Sequence, residues 1–449
     1  PRPGRPRRRT TRRLRGSRRR LAGGHSGRTG RPMPTRSSRA GESHRVTHLD
    51  NGIVVLTESV PGARSAAAGA WIRQGSALEP ADMTGASHLL EHMVFRGTAN
   101  RSRRAIALSL ESVGGSLNAY TSREHTGYEA RVLPDHIPLA TEVISDLVRS
   151  PRLDEDDLDR EREVVTEEIA MVEDTPDDLV FELHGARMWG DHPYGAPILG
   201  SRESVASIPR DGLAELHRRR YVGANLIVAA AGAVEHDAFS DLASRWFGPV
   251  EAGERTEAVS EPAGACAGTH RVERGLAQVH IVIGAPTPGH SHPDRYALAL
   301  LSAALGGGMS SRLFQRIREE LALAYAVHSY QAFHVRAGAA GVYLATRPSE
   351  CAAALDAVAE ICREVVADGL SDEELERVRE QVKGQLVLSL ESTGARLHRL
   401  ASAALYDERI MGLDEVLKLV DGVSHGDIAR VAAQVLDPGR SCTLTLGPT

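Results

Sequence analysis

Lysine is almost missing from this chain. Of its 54 basic residues only Lys383 and Lys418 are lysines, and the rest are arginines. With abundant alanine and glycine, that bias reads as the habit of a GC-rich genome rather than selection for guanidinium chemistry. Cysteine is scarce as well. Cys266, Cys351, Cys362 and Cys442 are scattered and form no CxxC, which excludes a disulfide scaffold and a cysteine zinc site. No run approaches the ~18 consecutive apolar residues that a membrane-spanning helix requires. Acidic residues are absent from residues 1–40, which hold fifteen arginines. The total charge of −5 therefore conceals a body of −20 behind a basic tail. What is present, 41% hydrophobic and 25% charged residues over 449 positions, suits a folded protein with length for roughly three domains.

Residues 1–44 carry almost no apolar residues and no periodicity, so they are expected to be a disordered tail. Three readings compete: a nucleic-acid-gripping arm, an Arg-rich organelle transit peptide, or an over-extended translation start, the chain not opening on Met. From Thr47 the pattern is ordered. Asp50-Asn51-Gly52 between two apolar runs signals a hairpin. Residues 65–76 read as a buried strand, 85–95 and 105–113 as helices, and 116–133 as strands. Helices follow at about 135–149, 154–172, 177–189 and 210–220, then a buried strand at 224–234. Residues 251–270, rich in Ala, Gly, Glu and Ser, read as a linker. Then the same order restarts: a strand at 276–286, helices at 294–305 and 310–321, two strands, and long helices.

The chain thus reads as two copies of one unit. LDEDDLDREREVVTEE (153–168) aligns without gaps on LSDEELERVREQVKGQ (370–385). Among the positions that change chemistry, Glu161 faces Val378 and Glu168 faces Gln385. One copy keeps carboxylates that the other lacks, as a duplication with one working site would show. The domains expected are 45–250, holding a metal centre, the linker 251–270, and a homologous 271–449 without one. Each is expected to be an α/β sandwich, an antiparallel-rich sheet covered by helices, in the α+β class.

The metal expectation starts at His88-Leu89-Leu90-Glu91-His92, an HxxEH. On a helix the two imidazoles lie on one face, as zinc requires, with Glu91 beside them in the position of a general base. A catalytic zinc needs a third protein ligand, a carboxylate or histidine from elsewhere. Glu161 and Glu168, seven apart, share a helix face. Glu168 is favoured as that ligand and Glu161 as the partner that orients a histidine. The run Asp154 to Asp159 reads as a solvated face, and Glu163 and Glu167 point away.

TGASHLLEHMVFRGT, GGSLNAYTSREHTGYEARV and EREVVTEEIAMVEDTPDD together resemble the pitrilysin/insulinase family of zinc metallopeptidases, the inverzincins. The resemblance runs from about Thr47 to the C-terminus. It is closest to the short two-domain members related to the mitochondrial processing peptidase β-subunit and its bacterial homologues. It implies a zinc metalloendopeptidase with one Zn²⁺ per chain on His88, His92 and Glu168, and Glu91 as base. It further implies that Arg318 and Tyr325 reach the substrate carbonyl. Without the family, Arg318 reads as a surface salt-bridge residue and Tyr325 as strand core. The family's GLAY segment is here Ala322-Leu323-Ala324-Tyr325, a departure that bears on the local turn. Gly306-Gly307-Gly308 reads as a helix C-cap or a loop touching substrate. Asn118-Ala119-Tyr120-Thr121 matches an edge strand on which a bound peptide adds as a further strand. The implied partners are a peptide or unfolded polypeptide substrate and a second copy in a homodimer, with no nucleic acid and no membrane. The implied location is the bacterial cytoplasm, or the mitochondrial matrix if the tail is a transit peptide. Two rivals are a non-catalytic scaffolding subunit, which would be expected to lose ligands, and a nucleic-acid binder driven by the tail.

Overall fold

The computed structural model describes residues 43–448. The arginine-rich tail lies outside the described residues, apart from Ser43 and His44, which open the first strand rather than close the tail.

The first sheet contains β1 (Ser43–His48), β2 (Val54–Ser59), β3 (Ala66–Ile72), β4 (Ser116–Thr121), β5 (Thr126–Val132) and β6 (Leu226–Gly232), in the order β1-β2-β6-β3-β5-β4. Only β2 and β6 run parallel. The hairpin between β1 and β2 turns at Gly52, whose φ of +90° suits a residue without a side chain. Around the sheet lie α1 (Ala86–Val94), α2 (Arg103–Glu111), α3 (Ile137–Arg149), α4 (Glu155–Asp174), α5 (Pro176–Trp189), α6 (Arg202–Ser207), α7 (Arg210–Arg220) and α8 (His236–Phe247).

The second sheet contains β7 (Gly268–Glu273), β8 (Val279–Pro288), β9 (Ala324–Phe333), β10 (Ala337–Thr346) and β11 (Cys442–Gly447), in the order β7-β11-β8-β10-β9. Its helices are α9 (Arg295–Gly306), α10 (Cys351–Asp368), α11 (Asp372–Ser389), α12 (Thr393–Leu405), α13 (Leu413–Asp421) and α14 (His425–Val435). This order reproduces β2-β6-β3-β5-β4, with the parallel pair in the same place. The chain therefore forms two α+β units, each a mixed, mainly antiparallel sheet covered by helices. The second lacks the counterpart of β1.

Two local expectations are corrected. Gly268 to His270, read as the end of the linker, already belong to β7. Residues 310–321 are helical, but Phe314–Glu320 form a π-helix, closed by Leu321 N–H on the carbonyl of Arg316, five residues back. The wider turn takes up a residue more than an α-helix would. It leads directly into Ala322, at φ +51°.

Both units also exchange a helix, which hydrophobic periodicity cannot reveal. Leu397, Leu400 and Ala401 of α12 pack on Leu56, Trp71 and Ile227 of the first sheet. Reciprocally, Leu179 and Val180 of α5 pack on Val282, Tyr343 and Leu444 of the second. Each sheet thus has one face on its own helices and the other on a helix supplied by the other half. Glu58 of β2, fully buried, is held by Arg396 and Arg399 of α12, the latter at 2.7 Å.

Candidate metal centre

Helix α1 carries the first three site residues. Leu89, Leu90, Met93 and Val94 are fully buried and fix the helix in the core, each contributing roughly 1.5–3 kcal/mol. That leaves His88, Glu91 and His92 on the remaining face. The helix starts at Gly85, at φ +95°, where a Cβ would stand 2.6 Å from the Leu199 carbonyl oxygen. Its unsatisfied N–H groups are met from outside the helix. Glu79 accepts from Gly85 N at 2.7 Å and Ser87 N at 2.6 Å, placing negative charge at the positive end of the helix dipole.

Helix α4 packs against α1 and brings two more carboxylates. Leu158, Glu161, Val165 and Ile169 form its buried stripe, so Glu161 occupies a position otherwise apolar. In α11 the matching residue is the buried Val378. Glu161 Oε2 lies 2.9 Å from His92 Nδ1, and its other oxygen pairs with Arg96 Nε. This carboxylate makes Nδ1 the protonated nitrogen of His92 and leaves Nε2 as the donor atom toward the centre. Glu168, one and a half to two turns further on, projects to the same point: its Oε2 is 3.5 Å from His92 Nε2 and 3.6 Å from His88 Nε2.

His88, His92 and Glu168 are the group of side chains among the described residues that would suit a metal ion, with ligand atoms all within 4.8 Å of one another. The donor set fits zinc. Bonds of about 2.1 Å in a tetrahedron put ligand atoms ~3.4 Å apart, close to the separations found. Burial, and then His92, push His88 down to about 4, so its imidazole is neutral at neutral pH as a ligand must be. His88 Nδ1 is buried without a hydrogen-bond partner, so packing of α1 alone orients that ring.

Glu91 stands beside this group, 9% exposed. Burial raises its pKa, opposed by a hydrogen bond from Thr121 Oγ1 at 2.6 Å. Thr121 ends β4, the outer strand of the sheet, whose free edge faces away from β5. Side chains alternate along that strand. Leu117 and Ala119 pack on the core under α1, Thr121 reaches Glu91, and Tyr120 points to the opposite face, accepting from Trp71 Nε1 at 3.0 Å. Of the four residues Asn118 to Thr121, only Asn118 is exposed.

Arg318 and Tyr325 do meet: the guanidinium lies 4.4 Å from the Tyr325 ring centre and 4.6 Å from that of Phe314. Tyr325 is 77% exposed, so it is not a core residue of its strand. Among the described residues, no hydrogen bond, ion pair or ring contact joins this pair to the metal-ligand group. Sequence reasoning missed Glu79, Arg96 and the Thr121–Glu91 bond. The first two had no periodic signal, and the third depends on which face of β4 meets α1.

Two imidazoles, a converging carboxylate and a buried glutamate at their side, on a duplicated α+β fold, are the arrangement of a metal-dependent hydrolase. Residues 54–202 match the family model described as insulinase (peptidase family M16), and residues 207–382 the one described as the peptidase M16 inactive domain. The chain belongs to peptidase family M16. An uncharacterized zinc protease of Mycobacterium tuberculosis is 38% identical over 423 residues, covering 93% of this chain and 96% of the relative. The uncharacterized zinc protease YmxG of Bacillus subtilis is 36% identical over 385 residues, covering 86% and 94%. A protease from Helicobacter pylori shares the fold with a TM-score of 0.84 at 22% identity, over 91% of this chain and 100% of that one. The stretch matched to an inactive domain, 207–382, holds Val378 where the first half has Glu161, and Gln385, in place of Glu168, lies just beyond it. No helix among the described residues is long and apolar enough to cross a membrane.

Proposed function

We propose that this chain is a zinc metalloendopeptidase that hydrolyses peptides or unfolded segments, and that a bacterial cytoplasm is where it works. The observation that carries this reading is the convergence of His88 Nε2, His92 Nε2 and Glu168 Oε2 beside the buried Glu91. One zinc per chain would be held by the first three residues. The chemistry a bound zinc supplies is Lewis acidity toward water and the scissile carbonyl. Glu91 takes a proton from the attacking water and hands it to the leaving amine, so water adds across the C–N bond. Thr121 keeps Glu91 aimed, and Glu161 keeps His92 in the right tautomer. An extended peptide lies along the free edge of β4, bonded main chain to main chain, with Asn118 beside it.

Arg318, half-buried, and Tyr325, exposed, stacked together, would serve the carbonyl of a peptide held by a second copy, each chain's metal centre facing its partner's second half. That reading requires a homodimer, and sedimentation of a fully active monomer would dispose of it. Replacing Glu91 by Gln should lower turnover by about 10²–10⁴-fold with zinc retained. His88→Ala should lose the metal, as elemental analysis would report. Cleavage of a peptide library, read by mass spectrometry, should show internal cuts that a chelator abolishes. Cuts confined to chain ends, or wild-type rates from Glu91→Gln, would overturn the assignment.

A further inference from the structure

Strand β4 passes at Thr121 into a turn, Ser122 to His125, that is bonded to itself. Ser122 N–H donates to the His125 carbonyl at 2.8 Å, and His125 N–H to Ser122 Oγ at 3.1 Å. The segment before α1 holds the turn from one side: Ser76 N–H and Ala77 N–H donate to the carbonyls of Ser122 and Arg123 at 3.1 and 2.8 Å. A Cβ on Gly75 would collide with the Ser122 carbonyl oxygen, so the two segments lie in close contact. A turn this stiff passes any displacement on to Thr121, and Thr121 holds Glu91.

One side chain of the turn reaches the other half. Glu124 accepts from Val335 N–H with both oxygens, at 3.0 and 2.9 Å, and from the Tyr194 hydroxyl at 2.6 Å. Val335 lies between β9 and β10, the hairpin that corresponds to β4–β5 by sheet order. The tips of two equivalent hairpins therefore meet, and the metal-bearing half supplies the side chain. Tyr194 is fully buried, its ring stacked on His334 with 4.3 Å between centres, and its oxygen accepts from Arg336 N–H at 3.4 Å. Burial pushes the Glu124 carboxyl up, and these donors oppose it. Apolar packing of α5 and α12 already joins the halves. What a carboxylate adds to that packing is direction, because its hydrogen bonds fix one geometry.

We infer that Glu124 is a positioning residue for the metal centre. By fixing the β4–β5 turn to Tyr194 and Val335 it sets where Thr121 stands, and through Thr121 where Glu91 stands. The second half, which lacks the metal ligands, thereby controls the geometry of the base in the first. This inference rests on the peptidase reading, with Glu91 as base.

The test uses the full chain and three variants, Glu124→Ala, Glu124→Gln and Tyr194→Phe. Glu124→Ala should lower kcat for peptide cleavage about tenfold or more, since small misplacements of a catalytic group are costly. KM should change less than kcat, and zinc content by elemental analysis should stay at the wild-type level. Glu124→Gln keeps an acceptor for Val335 N–H and should recover most of the loss. Tyr194→Phe, which removes one donor, should fall between the two. A second readout needs no turnover: amide exchange followed by mass spectrometry should quicken several-fold over residues 116–125 in Glu124→Ala and stay unchanged over 226–232. Unchanged kcat in Glu124→Ala, or unchanged exchange over 116–125, would overturn the inference. A loss in Glu124→Gln as large as in Glu124→Ala would assign the effect to charge and overturn it too. Exchange that rises evenly over both units would make Glu124 a structural contact alone. A wild-type chain that cleaves no peptide would sink the peptidase reading, whereas the exchange pattern decides the coupling between the halves by itself.

Discussion

Thr121 Oγ1 donates a 2.6 Å hydrogen bond to Glu91 Oε2. The outer strand proposed to receive substrate and the proposed base are therefore mechanically one unit. The bond favours the ionised carboxylate, against the burial that disfavours it. A base works deprotonated, so activity falls as pH drops through its pKa. Thr121→Val should move the acid limb of the kcat/KM profile to higher pH by about one unit, since ~1.4 kcal/mol corresponds to one unit. An unshifted limb with a peptide substrate would mean that Thr121 does not tune Glu91.

Ala322 sits at φ +51°, a region that costs an L-residue roughly 1–2 kcal/mol. The turn before Tyr325 keeps the shape that glycine would give it, but under strain. Ala322→Gly should stabilise the chain by about 1 kcal/mol, visible as a higher Tm. A lower Tm would show that the turn is not strained.

Glu79 caps α1, yet burial pushes its carboxyl up to about 7. A pKa raised in the folded state means stability that is present below about 4.5 and lost as pH rises through 7. Glu79→Gln should flatten this part of the stability profile, sparing about 2 kcal/mol of the loss between pH 5 and pH 8. At pH 5 the folded wild type already carries a protonated carboxyl with one strong acceptor, as Gln has, so the two should be close in stability there. Parallel urea curves at both pH values would refute the assignment.

Glu58 is buried under α12 with Arg396 and Arg399. Removing one member of a buried ion pair costs about 3–5 kcal/mol. Glu58→Ala should cost about that much and loosen α12, seen as faster amide exchange over residues 393–405. Exchange elsewhere in the second unit should change less.

The metal-ligand group was legible because its members lie on two helices whose period is known. HxxEH puts His88 and His92 on one face, and seven residues put Glu161 and Glu168 on another. The loss of carboxylates at Val378 and Gln385, together with the seven-residue spacing, drew attention to that pair among the acids around it. The duplication was legible from the same alignment. Without the family resemblance Tyr325 reads as core, because a strand's alternation does not say which edge is bare, and the π-helix at 314–320 carries no compositional mark.

By itself the sequence determined the two-unit plan, the helices that bear the donors and the nature of those donors, since each follows from spacing along one element. The tertiary structure alone decided that α5 and α12 change places between the sheets, that Glu79 caps α1 and that Thr121 holds Glu91. Those facts depend on contacts between residues far apart in the chain. Local periodicity says which face of an element is apolar, not which distant surface it will meet.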